Sequence, residues 1–157
     1  YTIAMTVKEA LGESNGMDVK ILATDISTRV LEVARQGIYE ERKLDYVPEK
    51  HLRKYFQKGT GQAEGHYLVK KPLRDMISFG RLNLSIQPFP IHGPLDVIFC
   101  RNVMIYFDNN VRIKVLDNMH RLLKPGGYLM VGHAESLTSL VSSFKSIMPS
   151  VYVKGLN

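Results

Sequence analysis

The chain has 157 residues, 45% of them apolar and 23% charged, which is the make-up of one soluble globular domain and excludes disordered, collagen-like and coiled-coil chains. A domain of this size buries roughly 68–70% of the surface its unfolded chain exposes, so it needs no metal or disulfide staple, and Cys100, the lone cysteine, has no internal partner. The net charge of +6 is concentrated: Lys50 to Arg74 hold seven basic residues against one acid while the rest of the chain carries 14 of each sign, the pattern of a local docking surface.

In chain order, Ile3, Met5, Val7, Ala10 and Leu11 mark a helix already under way behind Tyr1 and ending near Gly12, as expected of a fragment of a longer chain without a cleavable signal. Val19 to Ala23 predicts a short buried strand closed by Thr24 and Asp25. Ser27 or Thr28 caps the next helix, whose Val30, Leu31, Val33 and Ala34 lead to Gly37. Residues 38 to 81 break the pattern: a short helix from Glu49 to Phe56, then Gly59-Thr60-Gly61, then the alternating piece His66 to Lys70 predict an inserted small β subdomain over 46–76 that contains a hairpin. Leu95 to Cys100 is a nearly continuous apolar run, the signature of a strand buried on both faces of a parallel sheet. Asp108 or Asn109 then caps a helix with Val111, Val115, Met119, Leu122 and Leu123 on one stripe, ended by Pro125-Gly126-Gly127. Tyr128 to Val131 predicts a strand, followed by a helical stretch through Leu140 and Phe144 and a last strand at Val151 to Val153. Strands alternating with helices specify an α/β sheet with right-handed crossovers.

Open α/β sheets bind ligands beyond the carboxyl ends of their strands, so the residues just after each strand are the candidates. Asp25 offers a carboxylate that can accept from both hydroxyls of a ribose, and reads equally as a helix cap or solvated turn residue. Asn83 and Leu84, after the stretch Ile77 to Leu82, suit a planar base; in a polar loop, Asn83 also reads as an Asx-turn residue. Arg101-Asn102 and Tyr106 follow the apolar strand, where a polar cluster has no packing reason to occur; singly, Arg101 reads as a surface ion pair and Tyr106 as a core aromatic. Together these positions outline a nucleoside pocket with a charged reaction edge. The five histidines lack metal-ligand spacing, Cys100 on its strand reads as a small apolar group, and no hydrolase nucleophile elbow or phosphate-binding Gly-Lys loop is present.

Ala23-Thr24-Asp25-Ile26, Ala34-Arg35-x-Gly37-Ile38-Tyr39, Tyr55-Phe56-x-x-Gly59, Asn83-Leu84 and above all Phe99-Cys100-Arg101-Asn102-Val103-Met104-Ile105-Tyr106-Phe107 closely resemble the CheR family of chemotaxis receptor glutamate methyltransferases. Leu123-Lys124-Pro125-Gly126-Gly127 and Gly132-His133-x-Glu135 extend the resemblance over essentially the whole chain. It implies a class I methyltransferase fold, a Rossmann-like doubly wound sheet with a small antiparallel insertion. It also implies S-adenosylmethionine as cofactor, S-adenosylhomocysteine as product, and methyl transfer to glutamates on the cytoplasmic helical bundle of chemoreceptors. The same resemblance places Asp25 on the cofactor ribose, Asn83 and Leu84 at the adenine, Cys100, Arg101 and Asn102 beside the cofactor, and Arg101 and Tyr106 at the reacting centre. The substrate carboxylate is itself the nucleophile and is ionised at neutral pH, so alignment and exclusion of water carry the catalysis.

Two departures qualify the match. A family loop of the form Gly-Glu-Glu-Pro-Tyr and the strand before it would precede Tyr1; without that central strand the 157 residues are expected to leave two sheet edges open, to bind cofactor poorly and to be inactive by themselves. Members that dock on a tethered receptor C-terminal peptide receive it as an added strand beside a Gly-x-Gly turn and basic residues. Lys58, Gly59, Thr60, Gly61, Lys70 and Lys71 fit that docking face, but Leu68 stands where such members carry Arg. The competing expectations are a nucleic-acid methyltransferase, against which stands the lack of an Asn/Asp-Pro-Pro-Tyr motif, and a non-catalytic receptor-docking module. The expected protein is a monomer in the cytoplasm, drawn to membrane-bound receptor arrays without inserting into the bilayer and with no nucleic-acid partner; no apolar run approaches the ~18 residues of a membrane span.

Overall fold

A computed structural model of the chain describes residues 1–12, 16–133, 135, 137 and 143–156 and divides it into two units, Tyr1–Asn83 and Leu84–Asn157. In the first, α1 (Thr2–Leu11) buries Ala4 and Met5 and closes at Gly12. Strand β1 (Ile21–Asp25) starts two residues later than the apolar run predicts. Ser27 then caps α2 (Thr28–Gln36), its hydroxyl accepting the Val30 N–H, and Gly37 ends the helix at φ 64°, a left-handed conformation that glycine adopts without a Cβ penalty.

Chain segment 38–81 supplies β2 (Ile38–Glu40), α3 (Glu49–Tyr55), β3 (Phe56–Lys58), β4 (His66–Val69), the single turn α4 (Lys71–Arg74) and β5 (Ile77–Arg81). Strands β2, β4 and β3 form an antiparallel sheet with β4 in the middle, so the β3–β4 hairpin is joined by residues 38–40 as a third strand. Strand β5 returns parallel to β1, aligning Asp25 with Arg81. A core of Ala4, Met5, Leu44, Tyr55, Phe56, Val69 and Leu73 unites helix α1 with the antiparallel sheet. The Met, Leu, Phe and Val side chains among them contribute roughly 1.5–3 kcal/mol each when fully buried.

The second unit is built on a parallel β-α-β crossover. Strand β6 (Leu95–Cys100) leads through a 3₁₀ turn at Met104–Tyr106 to α5 (Asn109–Leu122), which is capped by the Asp108 carboxylate accepting from Val111 N–H at 2.9 Å. Helix α5 buries Val115, Leu116, Met119 and Leu122 and feeds β7 (Leu123–Val131), parallel to β6. Strands β8 (Phe144–Met148) and β9 (Val151–Lys154) complete an antiparallel flank in the order β6-β7-β9-β8. Among the described residues β1 and β6 each have a hydrogen-bonded strand on one side only.

Three expectations change. Strand β6 is not buried on both faces: Val97 and Phe99, which share a face, are 39% and 45% exposed. The Pro125-Gly126-Gly127 run does not end α5, which passes into β7 at Leu123; the Lys154 ammonium donates to the His120 and Leu123 carbonyls at 2.8 Å each and satisfies the helix terminus in glycine's place. The two glycines serve a bulge between the Leu95–Leu123 and Val97–Tyr128 pairs, where a Cβ on Gly127 would lie 2.9 Å from the Lys124 carbonyl oxygen. Phe144 opens a strand instead of continuing a helix, its ring standing edge-on to His120 at 5.2 Å. Leu140 lies outside the described residues.

Candidate functional site

The candidate residues sit at strand ends in both units. In the first unit the β1 and β5 termini are adjacent, with Leu82 N–H donating to the Asp25 carbonyl at 3.0 Å, so Asp25 and Asn83 share one edge. Asp25 is not the cap of α2. One carboxylate oxygen accepts the Ser27 N–H at 2.8 Å, and the other carries no hydrogen bond among the described residues. That combination holds the side chain in place and leaves an acceptor free at the carboxyl end of a parallel strand.

In the second unit, Leu84 accepts a hydrogen bond at its carbonyl from the Gln87 amide at 2.8 Å. Cys100, Arg101, Asn102 and Tyr106 lie together at the end of β6. The Cys100 thiol is buried, and burial, aided by the negative charge of Glu135, pushes its pKa up to about 12, which excludes it as a nucleophile. Arg101 is exposed and Tyr106 is 80% exposed; neither side chain makes a hydrogen bond or ion pair among the described residues. Tyr106 is therefore not the core aromatic of the alternative reading. Between them Met104 is fully buried and pins the turn to the unit's interior.

What organises this loop is a residue that the sequence reading left without a role. Glu135, 1% exposed, accepts five backbone N–H bonds. One oxygen takes Val103, Met104 and Ile105 at 3.1, 2.8 and 3.3 Å. The other takes Asn102 at 2.9 Å and Gly132 at 2.7 Å. Leaving one buried N–H unpaired costs about 1–3 kcal/mol, so the carboxylate and the loop depend on each other. Asn102 occupies φ 59°, a left-handed conformation that asparagine tolerates better than most residues. At Gly132 a Cβ would lie 2.5 Å from the Asn102 side-chain oxygen and 2.7 Å from a Glu135 oxygen, so only glycine permits this approach. The one sequence signal was Gly132 three residues before a carboxylate, directly after a strand.

The proposed docking residues fall in the antiparallel sheet and its flanks. A Cβ on Gly59 would lie 2.0 Å from the Ala63 carbonyl oxygen, so the turn itself requires that glycine, and Gly61 at φ 60° is favoured by backbone conformation alone. Lys58 pairs with Glu41 at 3.6 Å and lies over the Tyr67 ring, and Lys71 pairs with Asp75 at 2.6 Å. Lys70 donates to the Arg53 and Lys54 carbonyls at 2.8 and 3.1 Å, satisfying the C-terminus of α3. On α3 the Tyr55 hydroxyl and then the Lys54 ammonium bond to Glu9, at 2.5 and 2.9 Å, and hold its carboxyl down at about 2.

Parallel β-α-β connections with polar and charged side chains displayed beyond the strand ends define the α/β class that binds nucleotide-type cofactors. Within that class, residues 1–153 match the family described as CheR methyltransferase, SAM binding domain, and the chain belongs to this family. It is 42% identical to the chemotaxis protein methyltransferase of Escherichia coli (strain K12) over 97% of its own length and 53% of that relative. Identity is 41% to the chemotaxis protein methyltransferase 2 of Pseudomonas aeruginosa over 97% of the chain and 54% of the relative, and 40% to the chemotaxis protein methyltransferase of Borreliella burgdorferi over 98% and 53%. The chain thus spans about half the length of the curated relatives it matches. S-adenosylmethionine is the cofactor of such a domain. Taken unit by unit, Asp25 keeps a carboxylate oxygen without a hydrogen bond in the first, and Arg101 and Tyr106 are unpartnered polar side chains in the second, groups of the kind that such a cofactor would engage.

Proposed function

We propose that the full-length protein containing this chain transfers a methyl group from S-adenosylmethionine to glutamate side chains of chemoreceptors, forming glutamate methyl esters. The observation that carries this reading is the pair of exposed side chains without partners, Arg101 and Tyr106, on a rigidly held loop at the carboxyl end of a parallel strand in a domain of this family. The cofactor supplies an electrophilic methyl on a sulfonium. A substrate carboxylate oxygen forms the new C–O bond as the C–S bond breaks; sulfur keeps the electron pair as a neutral thioether, and no proton moves. A strong general base is therefore unnecessary, and near-attack alignment is the main requirement.

In this reading Asp25 accepts from the ribose hydroxyls, Asn83 and Leu84 meet the adenine, and Cys100 to Asn102 line the cofactor. Arg101 orients the carboxylate by its fixed positive charge, and Tyr106 donates a hydrogen bond at the transfer site. The antiparallel sheet is a docking element: β3 is an edge strand, so a receptor C-terminal peptide adds beside it. The enzyme acts as a monomer in the cytoplasm at receptor arrays; no helix among the described residues is long and apolar enough to cross a membrane.

The test is tritiated methyl transfer to receptor-containing membranes by the full-length protein. Label released as methanol by mild alkali marks an ester, and Tyr106→Phe and Arg101→Ala should each slow transfer at least tenfold, the equivalent of about 1.4 kcal/mol. Alkali-stable label appearing in RNA or DNA, or normal rates in both variants, would overturn the reading; receptor binding without turnover would make the protein a docking module.

A further inference from the structure

We propose that Glu135 is a positioning residue for methyl transfer, acting through the Arg101–Tyr106 loop; the inference rests on the function proposed above. A buried carboxylate ordinarily faces a cation, because an uncompensated charge is costly inside a protein. Glu135 makes no ion pair among the described residues, and its bonds go to main-chain N–H groups instead. Four of the five belong to consecutive residues, Asn102 to Ile105, which are the whole of the loop between Arg101 and Tyr106. The carboxylate therefore sets the path of the backbone on which both exposed side chains are mounted.

The neighbouring residues are consistent with that task. Met104 is fully buried and fixes the loop from beneath, Asn102 supplies its left-handed turn, and Gly132 donates the fifth bond from the end of β7, tying the loop to the parallel strand beside β6. Apolar packing alone could bury a turn here. It could not converge four successive amides on one carboxylate, an arrangement that holds the loop in one path with the flanking side chains outward. Alignment to within about 1 Å is worth on the order of 100-fold in rate, which is the scale on which loss of such a template should be felt.

Glu135→Gln separates this role from mere filling of space. The amide keeps the volume and one acceptor but turns an N–H₂ group toward N–H donors of the loop or of Gly132. In the full-length protein, hydrogen exchange at residues 102–105 should accelerate at least 30-fold while the β7–β9 amides keep their protection. Methyl transfer should fall about 100-fold. Glu135→Asp, which retains both oxygens on a shorter stem, should recover at least a tenth of the wild-type rate. If Glu135 acts through the loop, Glu135→Gln should cost less than about threefold more in an Arg101→Ala/Tyr106→Phe background, since residues acting as a unit are not additive. Unchanged protection at 102–105, equal loss of protection throughout the unit, or a full 100-fold cost in that background would overturn the proposal. Should Glu135→Gln not fold, Gly132→Ala applies the same test from the other side of the carboxylate, and failure of both to fold would mark Glu135 as scaffold and refute it.

Discussion

Replacing Gly59 by alanine distinguishes a glycine that the fold requires from one kept for a partner. The added Cβ would stand 2.0 Å from the Ala63 carbonyl oxygen and 2.8 Å from its carbon, far inside van der Waals contact, and a backbone carbonyl cannot swing aside as a side-chain tip would. The turn from 59 to 63 must open, and the Gly59 N–H bond to the His66 carbonyl, 2.7 Å long, is lost with it. One such bond is worth about 0.5–1.5 kcal/mol net, and displacement of the turn brings the expected cost to about 2–3 kcal/mol. Gly61→Ala is the internal control: its φ of 60° is unfavourable for alanine, but nothing lies within 4 Å, so roughly 1 kcal/mol is expected. Native-state hydrogen exchange of the β3–β4 ladder in the full-length protein reads both locally, at about tenfold for each 1.4 kcal/mol. Gly59→Ala should accelerate those amides roughly 30- to 150-fold and Gly61→Ala about fivefold. Exchange within threefold of wild type for Gly59→Ala, or a larger effect of Gly61→Ala, would refute the steric account.

Lys154→Met keeps the aliphatic stem but removes both bonds to the His120 and Leu123 carbonyls, and should lower stability by about 2–3 kcal/mol, seen as a fall in thermal midpoint of several degrees; a shift under one degree would show that water caps α5 as well as the ammonium does. Cys100 should resist alkylation at pH 8 in the folded protein, because with a pKa near 12 only about one thiol in ten thousand is ionised, and react at least a thousandfold faster once unfolded. The sign for stability follows from the same shift: below pH 9 the thiol is protonated in both states, and from 9 to 12 the unfolded chain releases its proton first, so stability falls with rising pH across that window and the Cys100→Ala variant should show less of the fall.

Elements with local determinants were legible in the sequence. Helix α2 has its cap at Ser27 and its stop at Gly37, and α5 has its cap at Asp108 and its apolar stripe, because capping and periodicity are properties of neighbours in the chain. Where the determinant is distant, the reading fails. The end of α5 is set by a lysine on β9, and Phe144 joins a sheet whose pairing is non-local. The apolar run of β6 identified the strand, but its exposed Val97 and Phe99 depend on what covers the face, which no local pattern encodes. Arg101, Asn102 and Tyr106 were found as polar residues in a place with no packing reason for them. Glu135 escaped because its partners are backbone amides, which every residue but proline carries and no sequence pattern distinguishes.

The charge surplus between Lys50 and Arg74 illustrates the same limit and bears on docking. Counted along the chain, the segment has one acid to seven bases. In space, Arg53 meets Glu49, Lys54 meets Glu9, Lys58 meets Glu41 and Lys71 meets Asp75, all acids from outside the segment. The field of this face is weaker than the count suggests, and Lys70 is committed to the end of α3. Exposed pairs of this kind contribute little, however, so an acidic partner can replace Glu41 or Asp75 at little cost. Net charge therefore contributes less to steering than the sequence implies. In the proposed docking, exchange of one carboxylate for another at Lys58 and Lys71 would contribute more. On this view Lys58 and Lys71 are the contacts to alter in testing docking, and Lys70 is not, since reversing its charge would unseat α3 and confound the result.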